Sequence, residues 1–380
     1  MTPRWAMKGL AERMRIVCVS SSKIPSDTAN IIQVMKVCQA FAQLGHEVIL
    51  LVPGPQPDNL LPTVLLTHYG LHTLFNIEWL PVRNRRLFPW AAARHARRLR
   101  ADLLYAWPIQ SAVLGLLMAL PSMLELHDYP RGRFGPLWLR LFLTIPGRKC
   151  LLPITEALRS ALNLPLAQTV IAPDGVDLER YTSLPIPESA RRELCLPLAP
   201  TVLCTGHLYE GRGADLFLAL ASQFPLVSFV WVGGRPVDVE TWKTRAIGQN
   251  LANVTFTGFV PNERIPLYQS AADVLLMPYQ RTISTSSGGN TAEICSPMKM
   301  FEYMASGRPI LTSDLPVLRE VLDDSTAVFC PPDNAGMWGS ALNNLLADDK
   351  RRQDLGQRAR ARVISYSWVE RSRRTLEAFN

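Results

Sequence analysis

Short apolar runs alternate with longer stretches of helical period along this chain. RIVCVSSS (15–22) is an apolar run ending in small residues, the pattern of a doubly covered parallel strand running into a loop. After SKIPSDTAN, apolar residues fall at 31, 34, 35, 37, 38, 41, 42 and 44, which predicts a helix closed by Gly45. HEVILLVP is the next strand and completes a β-α-β unit. DLLYAW (102–107), SMLELH (122–127), CLLPIT (150–155) and TVIAPDG (169–175) read as further strands separated by helical stretches. The proline-rich stretch 181–200 lacks sustained periodicity and reads as a linker, placed at 184–200. A second series then runs through TVLCTG (201–206), FVWVGG, NVTFTGFV, DVLLMPY and RPILTS. The pattern predicts an α/β protein of two doubly wound halves, 15–183 and 201–363, after a poorly ordered leader at 1–14. Ligands of such sheets bind beyond the carboxyl ends of the strands, here in the cleft between the halves.

Composition narrows the class. Of 380 residues, 48% are hydrophobic and 19% charged, which suits two globular domains and excludes disorder. Seven cysteines, an odd number without a C-x-x-C pair, argue against a disulfide framework or a zinc site and for a reducing, cytoplasmic setting. No apolar run reaches the roughly 18 residues of a spanning helix. The net charge of +8 sits wholly in the first half, where residues 1–180 carry 20 Lys and Arg against 12 Asp and Glu. That asymmetry suggests an anionic partner, with solvated surface charge as the plainer reading. Nucleic acid is set aside, because no basic stripe interleaved with aromatics is present. The absence of G-x-G-x-x-G after the first strand leaves a dinucleotide-dependent dehydrogenase unsupported.

SPMKMFEYMASG (296–307) carries the most chemistry. Ser296 is the expected N-cap and Pro297 the first helical residue. Lys299 then stands in a first turn, where a cation is ordinarily unfavourable by about 0.3–1 kcal/mol. An anion seated on the free N–H groups would make that lysine an asset. Glu302, one turn inside, could accept hydrogen bonds from a ribose diol. The plainer reading is an i,i+3 Lys–Glu pair.

S-P-x-K-x-F-E-Y-M-A-x-G-x-P-I, followed by SDLPVLREVL (313–322), resembles the donor-site signature of family 4 glycosyltransferases, which are retaining enzymes of the GT-B fold. The resemblance extends to IPSDTANIIQVMKVCQAFAQLGHEV, ELHDYPRG (125–132), APDGVDLERY (172–181), TGHLYEGRGADLFL (205–218) and TGFVPNERIPLYQSAADV (257–274). It implies two Rossmann-like domains facing across a donor and acceptor cleft, with residues 364–380 forming a helix that crosses back to the first domain and Trp368 as its anchor.

Residue by residue, the resemblance assigns Glu302 to the nucleotide ribose and Arg212 to the diphosphate, with His207 as a weaker phosphate partner. Backbone N–H groups of Met298 and Lys299, beside Ser296 and Pro297, complete the cradle. Gly258, Phe259 and Val260 fall in the base-binding segment, and Ser22 in the loop facing the diphosphate. His127 matches the acceptor-side histidine near the donor sugar, and Asp128 would orient it or touch acceptor. The family's first motif glutamate would fall at Ile294, so the contact to the donor sugar's hydroxyls passes to Glu293 or to the 284–292 loop. Asp174, in PDGVD, reads first as a turn former. No D-x-D pair stands in a suitable loop, so no metal or other cofactor is expected.

The function implied is transfer of a sugar from a UDP- or GDP-sugar to an acceptor hydroxyl, in cell-surface polysaccharide or glycolipid synthesis. A nucleotide-sugar 2-epimerase of the same fold, or a degenerate nucleotide-binding subunit, stays open at this point. Arg94, Arg97, Arg98 and Arg100, behind Leu87, Phe88 and Trp90, predict a basic helix that either docks on the membrane's inner face to reach a lipid-linked acceptor or stands as a solvated arginine-rich surface.

Overall fold

The computed structural model describes residues 13–26, 28–57, 62–82, 84–284 and 290–379. Most of the expected leader therefore lies outside the described residues. The first domain is built on β1 (Arg15–Val19), β2 (Glu47–Pro53), β3 (Asn76–Leu80), β4 (Leu103–Ala106), β5 (Ser122–Leu126) and β6 (Lys149–Pro153). Its helices are α1 (Ala29–Gln43), α2 (Pro62–Tyr69), α3 (Phe88–Arg98), α4 (Ile109–Leu117), α5 (Gly135–Thr144) and α6 (Glu156–Ala161). A short helix α7 (Pro187–Glu193) follows.

The second domain carries β7 (Thr201–Thr205), β8 (Ser228–Val232), β9 (Val254–Phe256), β10 (Val274–Met277), β11 (Ile310–Ser313) and β12 (Val328–Cys330). Between them run α8 (Ala214–Gln223), α9 (Pro236–Gly248), α10 (Ile265–Ser270), α11 (Met298–Ser306) and α12 (Pro316–Arg319). Helices α13 (Ala335–Ala347), α14 (Asp349–Arg362) and α15 (Trp368–Phe379) end the chain.

Both sheets are parallel, in the orders β3-β2-β1-β4-β5-β6 and β12-β11-β10-β7-β8-β9. Numbered within its own domain, each reads 3-2-1-4-5-6, the doubly wound order. Strand order reverses between β1 and β4 and again between β7 and β10, which are the positions where such sheets bind ligands. The central strands are apolar and buried because helices cover both faces. One face of the first sheet packs α1, α2 and α15; the other packs α3, α4 and α5.

The details depart from the sequence pattern in three places. Residues 169–175 are no strand. Val170 and Ala172 donate to the carbonyls of Leu151 and Pro153, each at 2.9 Å, but Pro173 has no N–H to continue the ladder. The edge strands β3 and β12 were not expected, because β3 is only partly covered and β12 has just three residues. The 184–200 stretch holds α7, opened by Pro187 and too short for periodicity to reveal. There the buried Arg191 donates to the Ala271 carbonyl at 2.9 Å and pairs with Asp273.

The last helix closes on the first domain. Trp368, Leu376 and Phe379 enter the core formed by β1 and α1. Arg148 donates to the Phe379 carbonyl at 3.0 and 2.8 Å. Val176 and residues 366–368 exchange backbone hydrogen bonds of 3.1 Å, so the chain crosses between domains as a paired double strand.

Candidate active site

One wall of the cleft grows from the loop after β7. Gly211 (φ +81°) and Gly213 (φ +85°) lie so close to the 278–283 segment that a Cβ on either would stand 1.9 Å from a carbonyl oxygen. Only glycine fits there, in both space and backbone angle. The residue between them, Arg212, is thereby aimed at Tyr279, to whose hydroxyl its Nη1 donates at 2.9 Å. The guanidinium carbon lies 5.1 Å from the Tyr279 ring centre. Lys299 Nζ lies 4.7 Å from the same ring and donates to the Thr205 carbonyl at 3.0 Å. One buried aromatic thus holds two cations at the β7/β10 reversal. Arg212 Nε is buried and has no partner among the described residues. A buried donor of this kind is satisfied by a ligand or by water. His207 stacks on Tyr209 at 4.9 Å, with Arg235 over the other ring at 5.2 Å.

Helix α11 begins at Met298 with Pro297 as its N-cap and no side chain capping it. Ser296 is not the cap. Its Oγ instead accepts from the backbone N–H of Asp174 at 2.9 Å, across the domain boundary. The first-turn N–H groups at Met298 and Lys299 are left for a ligand. Nor do Lys299 and Glu302 form an i,i+3 pair, since Glu302 Oε2 accepts from Gln269 Nε2 at 3.2 Å. Burial raises the Glu302 carboxyl above its ordinary value, while Arg180, that hydrogen bond and Lys36 pull the other way. Gly258 accepts from Gly233 N–H at 2.9 Å. Phe259 is half exposed, and its ring lies 5.8 Å from His68 of α2, nearly parallel to it. Val260 follows, partly buried.

The opposite wall centres on a residue absent from the sequence reading. Glu125, next to the last residue of β5, is buried and accepts from Gln33, Tyr105, His127 and Arg371. Burial pushes its carboxyl up, but the Arg371 charge, the His127 bond and charge, and the Tyr105 hydroxyl together leave it at about 2. His127 Nε2 donates to Glu125 Oε1 at 2.7 Å. Burial opposes protonation of His127, yet Glu125 and the charge of Asp174 hold it above the ordinary imidazole range. The only hint in the sequence was a charged residue inside SMLEL. Beside His127 opens a cavity of about 250 Å³ lined by Ser20, Asn30, Trp107, Asp128 and Tyr129. Ser22 is outside that lining but accepts from one of its members, Asn30 Nδ2, at 2.8 Å. Asp128 pairs with Arg131 and accepts from the Tyr129 N–H at 2.8 Å.

Ile294 is 2% exposed and belongs to the apolar core of the first domain. Its carbonyl accepts from Thr155 Oγ1 at 3.1 Å. Glu320 strengthens the same junction, accepting from the N–H groups of Glu156 and Ala157 at the start of α6, each at 2.8 Å. Glu293 is exposed. Residues 285–289 of the 284–292 loop lie outside the described residues.

Comparison with known proteins gives a consistent picture. Residues 199–348 match the family profile Glycosyl transferases group 1. The chain is 25% identical over 372 residues to a phosphatidyl-myo-inositol mannosyltransferase of Mycolicibacterium smegmatis, covering 94% of this chain and 90% of that one. In fold it resembles the sucrose-phosphate synthase of Thermosynechococcus elongatus, with a TM-score of 0.74, 19% identity and 97% and 98% of the two chains covered. It is equally similar to Anabaena HepE, solved in complex with UDP, with a TM-score of 0.74, 16% identity and 96% and 99% covered.

Proposed function

We propose that the chain is a glycosyltransferase of the group 1 type on a GT-B architecture, and that it moves a sugar from a UDP- or GDP-sugar to a hydroxyl of a lipid-linked acceptor, with retention of configuration. The observation carrying this reading is the pair of cations on Tyr279 beside the uncapped start of α11. A departing nucleoside diphosphate gains charge on its phosphates, and fixed cations and helix N–H groups stabilise that charge where it develops. The reading assigns that work to Arg212, Lys299 and α11 rather than to a metal. Glu302 takes the ribose. His127, fixed through Nε2 by Glu125, turns its other nitrogen to a bound hydroxyl. Same-face attack by the acceptor, with the leaving phosphate helping to remove its proton, accounts for retention.

The experiment is a panel of UDP- and GDP-sugars read by thermal shift and by release of nucleoside diphosphate. A donor at 100 times its dissociation constant should stabilise the chain by about 2.7 kcal/mol. A folded chain that neither binds nor turns over any of them overturns the proposal. Conversion of the donor to its epimer without acceptor replaces it with the epimerase reading.

A membrane site for the acceptor, on the inner face and within cell-surface polysaccharide or glycolipid synthesis, is supported by the rim of the first domain. Leu87 and Trp90 at the start of α3, and Phe134 and Leu137 at the start of α5, are all exposed. Both helices begin beyond the carboxyl ends of strands, on the cleft side. Arg94 packs over Trp90 at 5.2 Å and Arg133 over Phe134 at 5.8 Å. Arg97 is not fully available to lipid, since it donates to the Met118 carbonyl. Each arginine near an anionic surface contributes about 1 kcal/mol. The chain should sediment with anionic liposomes at low salt and release at high salt. Glutamine at Arg94, Arg98 and Arg133 should abolish the binding; retention by that variant, or no binding at low salt, removes the membrane from the proposal.

A further inference from the structure

Asp174 stands in the loop that leaves the first domain, and it is 6% exposed. Its Oδ1 is buried and has no hydrogen-bond partner among the described residues. The backbone around it is clamped from three sides. Arg371 Nε donates to the Pro173 carbonyl at 2.7 Å and its Nη2 to the Ala172 carbonyl at 3.0 Å. Ser296, two residues before α11, accepts the Asp174 N–H. At Gly175 a Cβ would stand 2.7 Å from the Tyr366 carbonyl, so the loop cannot shift that way. The backbone is held firmly here, while the carboxylate it carries has one buried oxygen that accepts nothing among the described residues.

Its surroundings join the two halves of the site. The charges of His127 and Arg371 act on it from the acceptor side, and Cys295 feels it from the donor side. Burial pushes the carboxyl up to about 6 against the pull of His127 and Arg371. Meanwhile position 294, where a carboxylate would meet the donor sugar, carries an isoleucine committed to the first domain's core. We propose that Asp174, from the hinge loop, supplies the carboxylate that accepts a hydroxyl of the transferred sugar, in place of the group missing at Ile294. The inference rests on the transferase reading and names a residue that reads the donor sugar. Apo, the oxygen is costly to bury. A sugar hydroxyl relieves that cost, so binding and specificity come from one contact.

The test begins with the wild-type chain, whose failure to turn over any nucleotide sugar would overturn the transferase reading before any variant is made. On an active chain, Asp174→Asn and Asp174→Ala should leave the affinity for UDP or GDP alone within about twofold. Both should lower kcat/KM for the complete donor by about tenfold to a hundredfold. A set of deoxy donors identifies the hydroxyl: removing it should cost the wild type a similar factor and cost Asp174→Ala nothing further. Asp174→Asn should also melt no lower than the wild type without ligand, because no protein partner is lost. Additive losses for every deoxy donor, a parallel loss of nucleoside diphosphate binding, or a melting point lowered by several degrees would each overturn the assignment.

Discussion

Arg371→Met lowers the stability of the chain by about 3–5 kcal/mol, because it leaves the Glu125 carboxylate buried without its counter-charge. The pair is closed off from solvent, with Arg371 at 1% and Glu125 at 2% exposure, and Arg371 Nη2 stands 2.7 Å from Glu125 Oε1. Three further groups donate to that carboxylate, but Gln33 and Tyr105 are neutral, and His127 is partly exposed to the cleft. The pH dependence carries a sign. Glu125 titrates at about 2, below the ordinary carboxyl range, so its contribution is present above about 4.5 and is lost as pH falls toward 2. In Arg371→Met the balance reverses, and burial dominates. Stability should then fall as pH rises through the carboxyl's new, elevated titration. Urea unfolding at pH 3, 5 and 8 measures the loss and both pH slopes. A loss below about 1 kcal/mol, or an unchanged pH slope, would show that the pair does not govern the first domain. Adding Glu125→Gln to Arg371→Met removes the stranded charge and should recover part of the loss.

The second large effect is on the chemistry. Arg212→Ala and Lys299→Ala should each reduce kcat/KM for the nucleotide sugar by about 100- to 1,000-fold, since each removes a fixed positive charge from the developing diphosphate. Affinity for the free nucleoside diphosphate should fall alongside. Arg212→Lys keeps a point charge but not the guanidinium fork, so it should retain part of the rate. Tyr279→Phe removes the hydroxyl that Arg212 reaches and keeps the ring that Lys299 faces; its defect should therefore follow Arg212 and spare Lys299. Kinetics of Arg212→Ala indistinguishable from wild type would displace the diphosphate from this cradle.

Much of the architecture was legible because backbone requirements leave marks in the sequence. Gly45 and Gly307 adopt positive φ just beyond helices, and the apolar runs of the central strands are buried on both sides. Gly211 and Gly213 answer to the same backbone requirement, but only the structure shows it. What sequence could not give depends on side chains meeting across distance. Ser296 fits every local rule for an N-cap, yet a backbone N–H from residue 174 takes its hydroxyl. Tyr279 ends a strand like any other aromatic, and its role exists only because Arg212 and Lys299 converge on it. Glu125 looked like a lone charge in a strand; its partners come from α1, β4, the loop after β5 and α15. Ile294 was legible as a gap in a motif, but its burial in the other domain's core was not.

The return of α15 to the first domain bears on how this chain is made. Arg371 meets Glu125 across 246 residues of sequence. While the ribosome is still elongating, the first domain emerges with one side of its core uncovered and a buried carboxylate lacking its counter-ion. Vectorial folding can assemble β1 to β6 and their early helices, but the first domain is finished only after the second has left the exit tunnel. Chains stopped within the second domain should thus present an open apolar face to chaperones and proteases, and a truncated transferase would be cleared before it could hold an acceptor it cannot glycosylate.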